Sequence, residues 1–101
     1  MKTIINKRLY DTETATLIGR YNNGYDFGDF NYIREELYRK KNGEYFIYGR
    51  GGARTKYSES DGDCMSSGSR IIPLTIEEAE KWAEAHMSAD DYLKYFEIEE
   101  D

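Results

Sequence analysis

Apolar residues come in short runs separated by polar and glycine-containing segments up to about residue 74, and they recur at helical spacing after it. Short runs rich in β-branched and aromatic residues are typical of strands. Segments 3–10 and 16–21 both have this character. The Asp and Thr side chains of 11–15 favour a turn, because they can bond the nearby backbone. We therefore predict a first β-hairpin made of 3–10 and 16–21.

The segment 31–41 suits either a helix or a strand, because it is rich in charges but also carries spaced apolar residues. Asn42-Gly43 decides between them, since Asn-Gly is the strongest short-range hairpin signal. The aromatic run 45–49 that follows is a strand, and 31–41 is the only partner available across the turn. We therefore predict a second hairpin. The preceding segment 22–30 is a loop held down by its aromatic residues.

The short strand 70–74 carries Pro73, which suggests a sheet edge or a strand end. The residues after it are predicted to be helical. Thr75 and Glu78 have the spacing of a capping box, and Ser88 with Asp91 repeats it. Apolar residues between the two caps recur at helical spacing and give one apolar face. A second short helix is predicted for 89–96.

Strands followed by helices indicate the α+β class. We expect one domain over 1–101, with an antiparallel sheet of about four to five strands and one or two C-terminal helices on one face. Residues 1–74 are mostly strands with a long loop at 49–69, residues 75–96 are helical, and 97–101 form an acidic tail. A chain of 101 residues is long enough for one adequate core.

Charge is distributed unevenly along the chain, whose formal net charge is −6. Residues 1–74 carry 12 basic against 10 acidic side chains, whereas 75–101 carry 2 against 10. Such an acidic region repels nucleic acid and attracts basic protein surfaces, including those that hold DNA or RNA. The alternative is a solvated acidic face that aids solubility.

The single cysteine, the lack of an apolar signal-peptide core near the N-terminus and the lack of a long apolar run together predict a cytoplasmic protein without a membrane span. No cofactor is expected. The glycines of 48–54 match neither the Walker pattern nor GxGxxG, so we do not predict a nucleotide site. The acidic segment 59–64 lacks the glycine and glutamate that a calcium loop needs at its sixth and twelfth positions.

The sequence contains no recognisable set of catalytic residues. His86 has no partner at catalytic spacing and is expected to serve the end of a helix, where its cation favours the dipole. Adjacent carboxylates such as Glu35 and Glu36 point in different directions on a strand or helix, so they do not form a glycosidase pair. We therefore predict a protein that is not an enzyme, with an enzyme or metal protein kept as a third hypothesis.

Two groups of residues are candidates for binding a protein partner. The first is a polar face on the C-terminal helices, opposite their apolar face, whose spaced carboxylates can imitate a phosphate backbone: Glu77, Glu80, Glu84, Asp90 and Asp91. The second is the long loop, which is unusual in so small a domain unless it is functional or mobile, with candidates Arg50, Arg54, Lys56 and Tyr57. The glycine-rich stretch 48–64 is predicted to be either a docking loop or a clasp over the sheet.

Three stretches, "MKTIINKRLYDTETATLIG", "ELYRKKNGEYFIYGRGGARTKY" and "IIPLTIEEAEKWAEAHMSADDY", cover nearly the whole chain. Together they resemble a family of small acidic proteins carried by bacterial phages and integrated mobile elements, of the anti-CRISPR type. The resemblance implies a stoichiometric inhibitor of a bacterial Cas nuclease or effector subunit with a basic surface. The alternative is a non-catalytic interaction module of a mobile element that acts on another host defence or regulatory protein.

Overall fold

The computed structural model describes residues 1–97. Within them the chain forms eight strands and two helices. The strands are β1 (Lys2–Ile5), β2 (Arg8–Asp11), β3 (Thr16–Asn22), β4 (Ile33–Arg39), β5 (Tyr45–Gly51), β6 (Glu59–Asp61), β7 (Cys64–Ser66) and β8 (Gly68–Leu74). The helices are α1 (Ile76–His86) and α2 (Ala89–Tyr95). Apart from Glu97, the acidic tail predicted for 97–101 lies outside the described residues.

The central element is a four-stranded antiparallel sheet with the order β3-β4-β5-β8. The predicted α+β class is therefore confirmed. Gly43 has φ = 92°, and the Asn42 side chain accepts a hydrogen bond from the backbone N of Glu44 at 3.0 Å, so the Asn-Gly turn joins β4 and β5 as predicted. The strand that contains Pro73 is β8, and it lies at an edge of the sheet, one of the two positions predicted for it.

The predicted first hairpin is wrong. Segment 3–10 is not one strand, because the chain turns back at Asn6 and Lys7, whose φ values are 52° and 66°. This two-residue turn pairs β1 with β2, and β3 pairs with β4 instead. Left-handed φ values at both central residues fit the twist of a tight hairpin, although Lys is a costly residue there. We call the β1–β2 unit the outer hairpin.

The segment 49–69 is more ordered than the predicted long loop. Strand β5 continues to Gly51, β6 and β7 form a small hairpin, and β8 begins at Gly68. The turn of the small hairpin includes Gly62 at φ = 63°. Apart from the short connections at 62–63 and at 67, only 52–58 remains without strand or helix, and we call it the clasp segment.

Both helices begin at their predicted caps. The Thr75 hydroxyl accepts from the backbone N of Glu78 at 3.1 Å, and the Glu78 carboxylate accepts from the backbone N of Thr75 at 2.9 Å. The Ser88 hydroxyl accepts from the backbone N of Asp91 at 3.2 Å. These bonds satisfy amides that a helix start leaves free. In the described part of the chain, neither helix has the length and apolar character that crossing a bilayer requires.

The central sheet has two apolar faces that are covered by different elements. On the helix face, Leu37 and Ile47 pack with Ala79, Trp82 and other residues of one core cluster. On the outer face, Tyr38 and Phe46 pack with Tyr10 of the outer hairpin in a second cluster. Because side chains alternate along a strand, odd-numbered residues of β4 and β5 face the helices and even-numbered ones face outward.

Candidate functional site

Three glutamates on α1 form an acidic ridge, which we define as Glu77, Glu80 and Glu84. At about 100° per residue, these positions fall within one narrow sector of the helix surface. The residues that α1 buries against the sheet, Ala79 and Trp82 among them, lie on another side. Glu77 and Glu84 are exposed and Glu80 is half-buried. The ridge is therefore fixed in position by the packing of the helix.

None of the three ridge carboxylates forms an ion pair with a basic group among residues 1–97. The effect of their charge is visible at Tyr92 on α2. Partial desolvation raises the pKa of Tyr92, and the neighbouring carboxylates of Glu80 and Glu84 raise it further. A phenol resists ionisation beside like charge, so Tyr92 marks a region of negative potential where the two helices meet.

The other two acidic candidates lie in the first turn of α2, where they favour the helix dipole. Asp90 and Asp91 are exposed. Asp91 forms an ion pair with Lys94 at 3.3 Å, in which both side chains are more than half exposed. Such an exposed pair contributes little and leaves Asp91 available to a partner. The acidic candidates predicted from the sequence are therefore all on the surface of the two helices.

The four candidates predicted in the long loop do not share a surface. Arg50 lies on the outer face of β5, and the guanidinium carbon of Arg54 lies 5.6 Å from the centre of the Phe30 ring. The Lys56 ammonium group lies 3.0 Å from the Glu35 carboxylate. Tyr57 is 2 % exposed. The prediction that Tyr57 contacts a partner is wrong, since its ring belongs to the core.

A buried carboxylate explains why Tyr57 is inside. Glu35 on β4 is 4 % exposed and faces the helices. Its Oε1 accepts a hydrogen bond from Trp82 Nε1 at 3.0 Å, and its Oε2 accepts one from the Tyr57 hydroxyl. Lys56 completes the set at 3.0 Å from Oε2. One side chain of the sheet thus joins helix α1 to the clasp segment.

The surroundings of Glu35 keep it ionised. Burial alone would raise the pKa of Glu35, but the hydrogen bonds from Tyr57, Trp82 and Lys56, together with the Lys56 charge, lower it below its ordinary value. The same hydrogen bond changes the pKa of its donor, Tyr57, in the opposite direction. Burial raises the pKa of Tyr57, and its bond to the Glu35 carboxylate raises it further. Glu35 is therefore a charged acceptor and Tyr57 a neutral donor.

The glycines of 49–52 make room for close approaches. A Cβ atom at Gly49 would overlap the Tyr57 ring, and one at Gly52 would overlap the backbone oxygens of Asp29 and Phe30. Backbone bonds hold the clasp segment in place, from Gly52 N to Tyr32 O at 3.0 Å and from Arg54 N to Phe30 O at 2.9 Å. Of the two alternatives for the glycine-rich stretch, the structure supports a clasp over the sheet.

The other residues considered for chemistry lie apart from one another. His86 stacks on Tyr21 with ring centres 3.8 Å apart and meets the edge of Trp82 at 5.0 Å, which is a packing role. Cys64 is exposed on β7. Among the described side chains, those of 1–60 and 62–97, no three His, Cys, Asp or Glu are grouped closely enough to hold a metal ion.

Two surface features were not predicted from the sequence. The loop between β3 and β4 was predicted to be held down by its aromatic residues, but it exposes three of these side chains by 51 to 64 %: Tyr25, Phe27 and Phe30. On the outer face of the sheet, three arginines from three neighbouring strands line one groove: Arg20, Arg34 and Arg50. Exposed aromatic groups and arginines are the residue types that contribute most to binding.

The sequence does contain a signal for the buried carboxylate. Glu35 has the same phase as Ile33 and Leu37 in β4, and that phase is the one that faces the helices. An acidic residue in the buried phase of a strand requires partners, because an unpaired charge in a core is very costly. The identity of those partners could not be read from the sequence, since Tyr57 and Trp82 are 22 and 47 residues away.

Comparison with known proteins found no match to this chain among family models, curated proteins or solved structures.

Proposed function

We propose that this chain is a non-catalytic inhibitor of the anti-CRISPR type. It binds a bacterial Cas effector complex stoichiometrically and blocks nucleic-acid binding or cleavage. The acidic ridge, with Asp90 and Asp91 beside it, contacts the basic surface on which the effector holds guide or target strands. Effectors of this class keep the heteroduplex in a positively charged channel and read a short flanking motif with arginines.

The observation that carries this proposal is that, in the part of the chain that the structure describes, none of the ridge carboxylates forms an ion pair with a basic group. Charges that are paired within a protein offer less to a partner, whereas these carboxylates have no ion-pair partner within residues 1–97. Their helix is also pre-organised, because Trp82 is bonded to Glu35 and buried in the core. Binding then loses little conformational entropy, which favours affinity.

The experiment that tests the proposal is a cleavage assay with a panel of purified Cas nucleases from different CRISPR types. Increasing amounts of the protein are added to each guide-loaded nuclease before target DNA. We expect cleavage by at least one nuclease to fall and to reach its minimum near equal molar amounts. Inhibition at far lower ratios indicates a catalytic mode of action, and no inhibition of any nuclease contradicts the proposal.

The second candidate function is a non-catalytic interaction module that acts on another host defence or regulatory protein. The exposed aromatic side chains of the β3–β4 loop favour it, since Phe27 and Phe30 offer a contact surface that does not require a basic partner. Affinity capture from a bacterial lysate separates the two functions. The parallel baits are Phe27→Ser/Phe30→Ser and a ridge variant, Glu77→Lys/Glu80→Lys/Glu84→Lys. A partner lost only by the phenylalanine variant supports this module, and one lost only by the ridge variant supports the inhibitor.

A further inference from the structure

The outer face of the central sheet is only half covered. The outer hairpin packs on Tyr38, Phe46 and Ile71, and Tyr48 lies at the margin of that cluster. Beyond Tyr48 the face is open and forms a groove of about 380 Å³. Residues that line it include Arg20, Asn22, Arg34, Glu36, Tyr48 and Arg50. A volume of this size is in the range of about 300–1,000 Å³ that small-molecule sites occupy.

Two of the arginines are placed in a way that stability alone does not explain. Arg34 on β4 and Arg50 on β5 are directly paired in the sheet register, so both side chains project from the same face. Side chains in such pairs start about 5 Å apart at Cβ, and like charges there destabilise the sheet. Among the side chains of 1–60 and 62–97, neither arginine forms an ion pair with a carboxylate.

The nearby acidic groups do not neutralise the pair. Glu36 is in contact with Arg20 at 3.3 Å and also accepts from the Tyr38 hydroxyl at 3.3 Å. Glu35 turns its carboxylate to the helix face, where Lys56 pairs with it. Both glutamates line the groove, but Glu35 is neutralised by Lys56, so three arginines against Glu36 leave two excess positive charges.

We propose that this groove binds the phosphate group of a small phosphorylated ligand of nucleotide size. A phosphate monoester carries nearly two negative charges at neutral pH, which matches the excess in the groove. Guanidinium groups bind phosphate through paired N–H donors with fixed geometry. Tyr48 lines the groove beside them.

An aromatic surface lies next to the charged part of the groove. The Phe27 ring is 64 % exposed, and the Arg34 guanidinium carbon lies 5.6 Å from its centre. A flat apolar face at this position suits stacking of a nucleobase attached to the phosphate. A long nucleic acid fits less well, because the net charge of −6 repels a polyanion along its length.

The test is a titration of the full chain in which two-dimensional NMR of the backbone amides monitors binding. The probes are inorganic phosphate, adenosine monophosphate, a hexaglutamate peptide and a ten-nucleotide oligothymidine, with sodium chloride at matched ionic strength as the control. We expect phosphate and adenosine monophosphate to shift the amides around Arg20, Arg34 and Arg50, with saturation at about millimolar concentration or below. The nucleotide should also shift the amide of Phe27.

Variants identify the groups that bind. We expect Arg34→Gln and Arg50→Gln each to weaken the affinity for adenosine monophosphate by about tenfold or more, the scale of a lost charge-assisted bond. The matched control is Arg39→Gln, because Arg39 is on the same strand but faces the helices, where it lies over the Tyr95 ring. The affinity of the Arg39→Gln variant for adenosine monophosphate should equal that of the wild type.

The proposal is overturned if phosphate and the nucleotide shift the amides no more than sodium chloride does, or if the two arginine variants bind as the wild type does. It is also overturned if the oligothymidine or the hexaglutamate binds at the groove and adenosine monophosphate does not. These outcomes are independent of the inhibitor function, since the acidic ridge is on the opposite side of the sheet.

Discussion

Trp82 Nε1 on the first helix lies 3.0 Å from Oε1 of Glu35 on the second strand of the central sheet. The two residues are 47 positions apart, and both are buried. A buried carboxylate is tolerated only when its lone pairs are satisfied, and here Trp82, Tyr57 and Lys56 satisfy them. The position of the helix on the sheet therefore depends on a polar contact as well as on apolar packing.

We expect Glu35→Gln to lower the free energy of unfolding by about 2–3 kcal/mol at neutral pH, because an amide cannot accept from all the donors and places its own N–H groups against them. Urea unfolding followed by tryptophan fluorescence measures the loss. The control is Glu13→Gln, an exposed site that should change stability by less than about 0.5 kcal/mol. Equal stability of wild type and Glu35→Gln contradicts the role of this contact.

The difference in stability between wild type and Glu35→Gln should depend on pH, and the pKa of Glu35 sets the direction of that dependence. The pKa of Glu35 in the folded chain is lower than its ordinary value of 4.5, so its contribution is complete above that pH and is lost as the pH falls through the folded pKa. The stability difference between wild type and Glu35→Gln should therefore shrink as the pH falls below about 4. Hydrogen bonds from Asn42 and Lys40 hold the pKa of Glu44 at about 2, but Glu44 is present in both proteins and cancels. A difference that stays constant down to low pH contradicts this assignment.

Gly49 and Tyr57 should be energetically coupled, because a methyl group at Gly49 would occupy the space of the ring. We expect Gly49→Ala to cost about 3 kcal/mol and Tyr57→Ala a similar amount. The double variant should cost less than the sum by about 1–3 kcal/mol, since the small residue removes the overlap. The control is the double variant Gly49→Ala/Tyr95→Ala, in which Tyr95 is on α2. Its loss in free energy of unfolding should equal the sum of the losses of the two single variants.

The outer hairpin can be stabilised at its turn. Lys7 has φ = 66°, a conformation that glycine adopts without steric cost. We expect Lys7→Gly to raise the free energy of unfolding by about 0.5–1 kcal/mol, with a higher melting temperature in calorimetry. Lys2→Gly should have the opposite sign, because Lys2 is in strand β1. A loss of stability in Lys7→Gly would contradict the left-handed turn.

Reversal of the acidic ridge tests where a partner binds. If the protein inhibits a Cas nuclease, we expect Glu77→Lys/Glu80→Lys/Glu84→Lys to raise the concentration for half inhibition by about tenfold or more. The matched control is Glu13→Lys/Asp26→Lys/Asp63→Lys, which changes the net charge equally at exposed sites away from the helices. Circular dichroism should show that both variants fold. Equal loss in both points to net charge alone, and unchanged inhibition by the ridge variant places the interface elsewhere.

Local signals predicted the parts of the fold that depend on neighbouring residues. Asn42-Gly43 predicted the β4–β5 hairpin, and Thr75 with Glu78 predicted the start of α1, because turns and caps are formed within a few residues. The turn at Asn6-Lys7 was missed because it lacks such a local signal. It contains no glycine, so the left-handed conformation at Lys7 leaves no local trace in the sequence.

Helical periodicity also fixes which face of a helix is free, and the acidic candidates are on the surface of the two helices.

Contacts between distant segments could not be predicted from such local signals. The basic candidates were grouped because they are close in sequence, but the alternation of β5 sends Arg50 to the outer face while the clasp segment carries Tyr57 to the helix face. The arginine groove combines three strands, and only the sheet register brings Arg20, Arg34 and Arg50 together.

The separation of the outer hairpin from the central sheet has a consequence for local opening. Within residues 1–97 it shares no strand ladder with that sheet, and it is held mainly through Tyr10 against Phe46 and by the Arg8–Glu44 ion pair. Its backbone bonds can break while the four-stranded ladder stays intact. Amide protons of β1 and β2 should therefore exchange with solvent at rates independent of global stability, and each opening would briefly uncover the apolar surface of Tyr38 and Phe46.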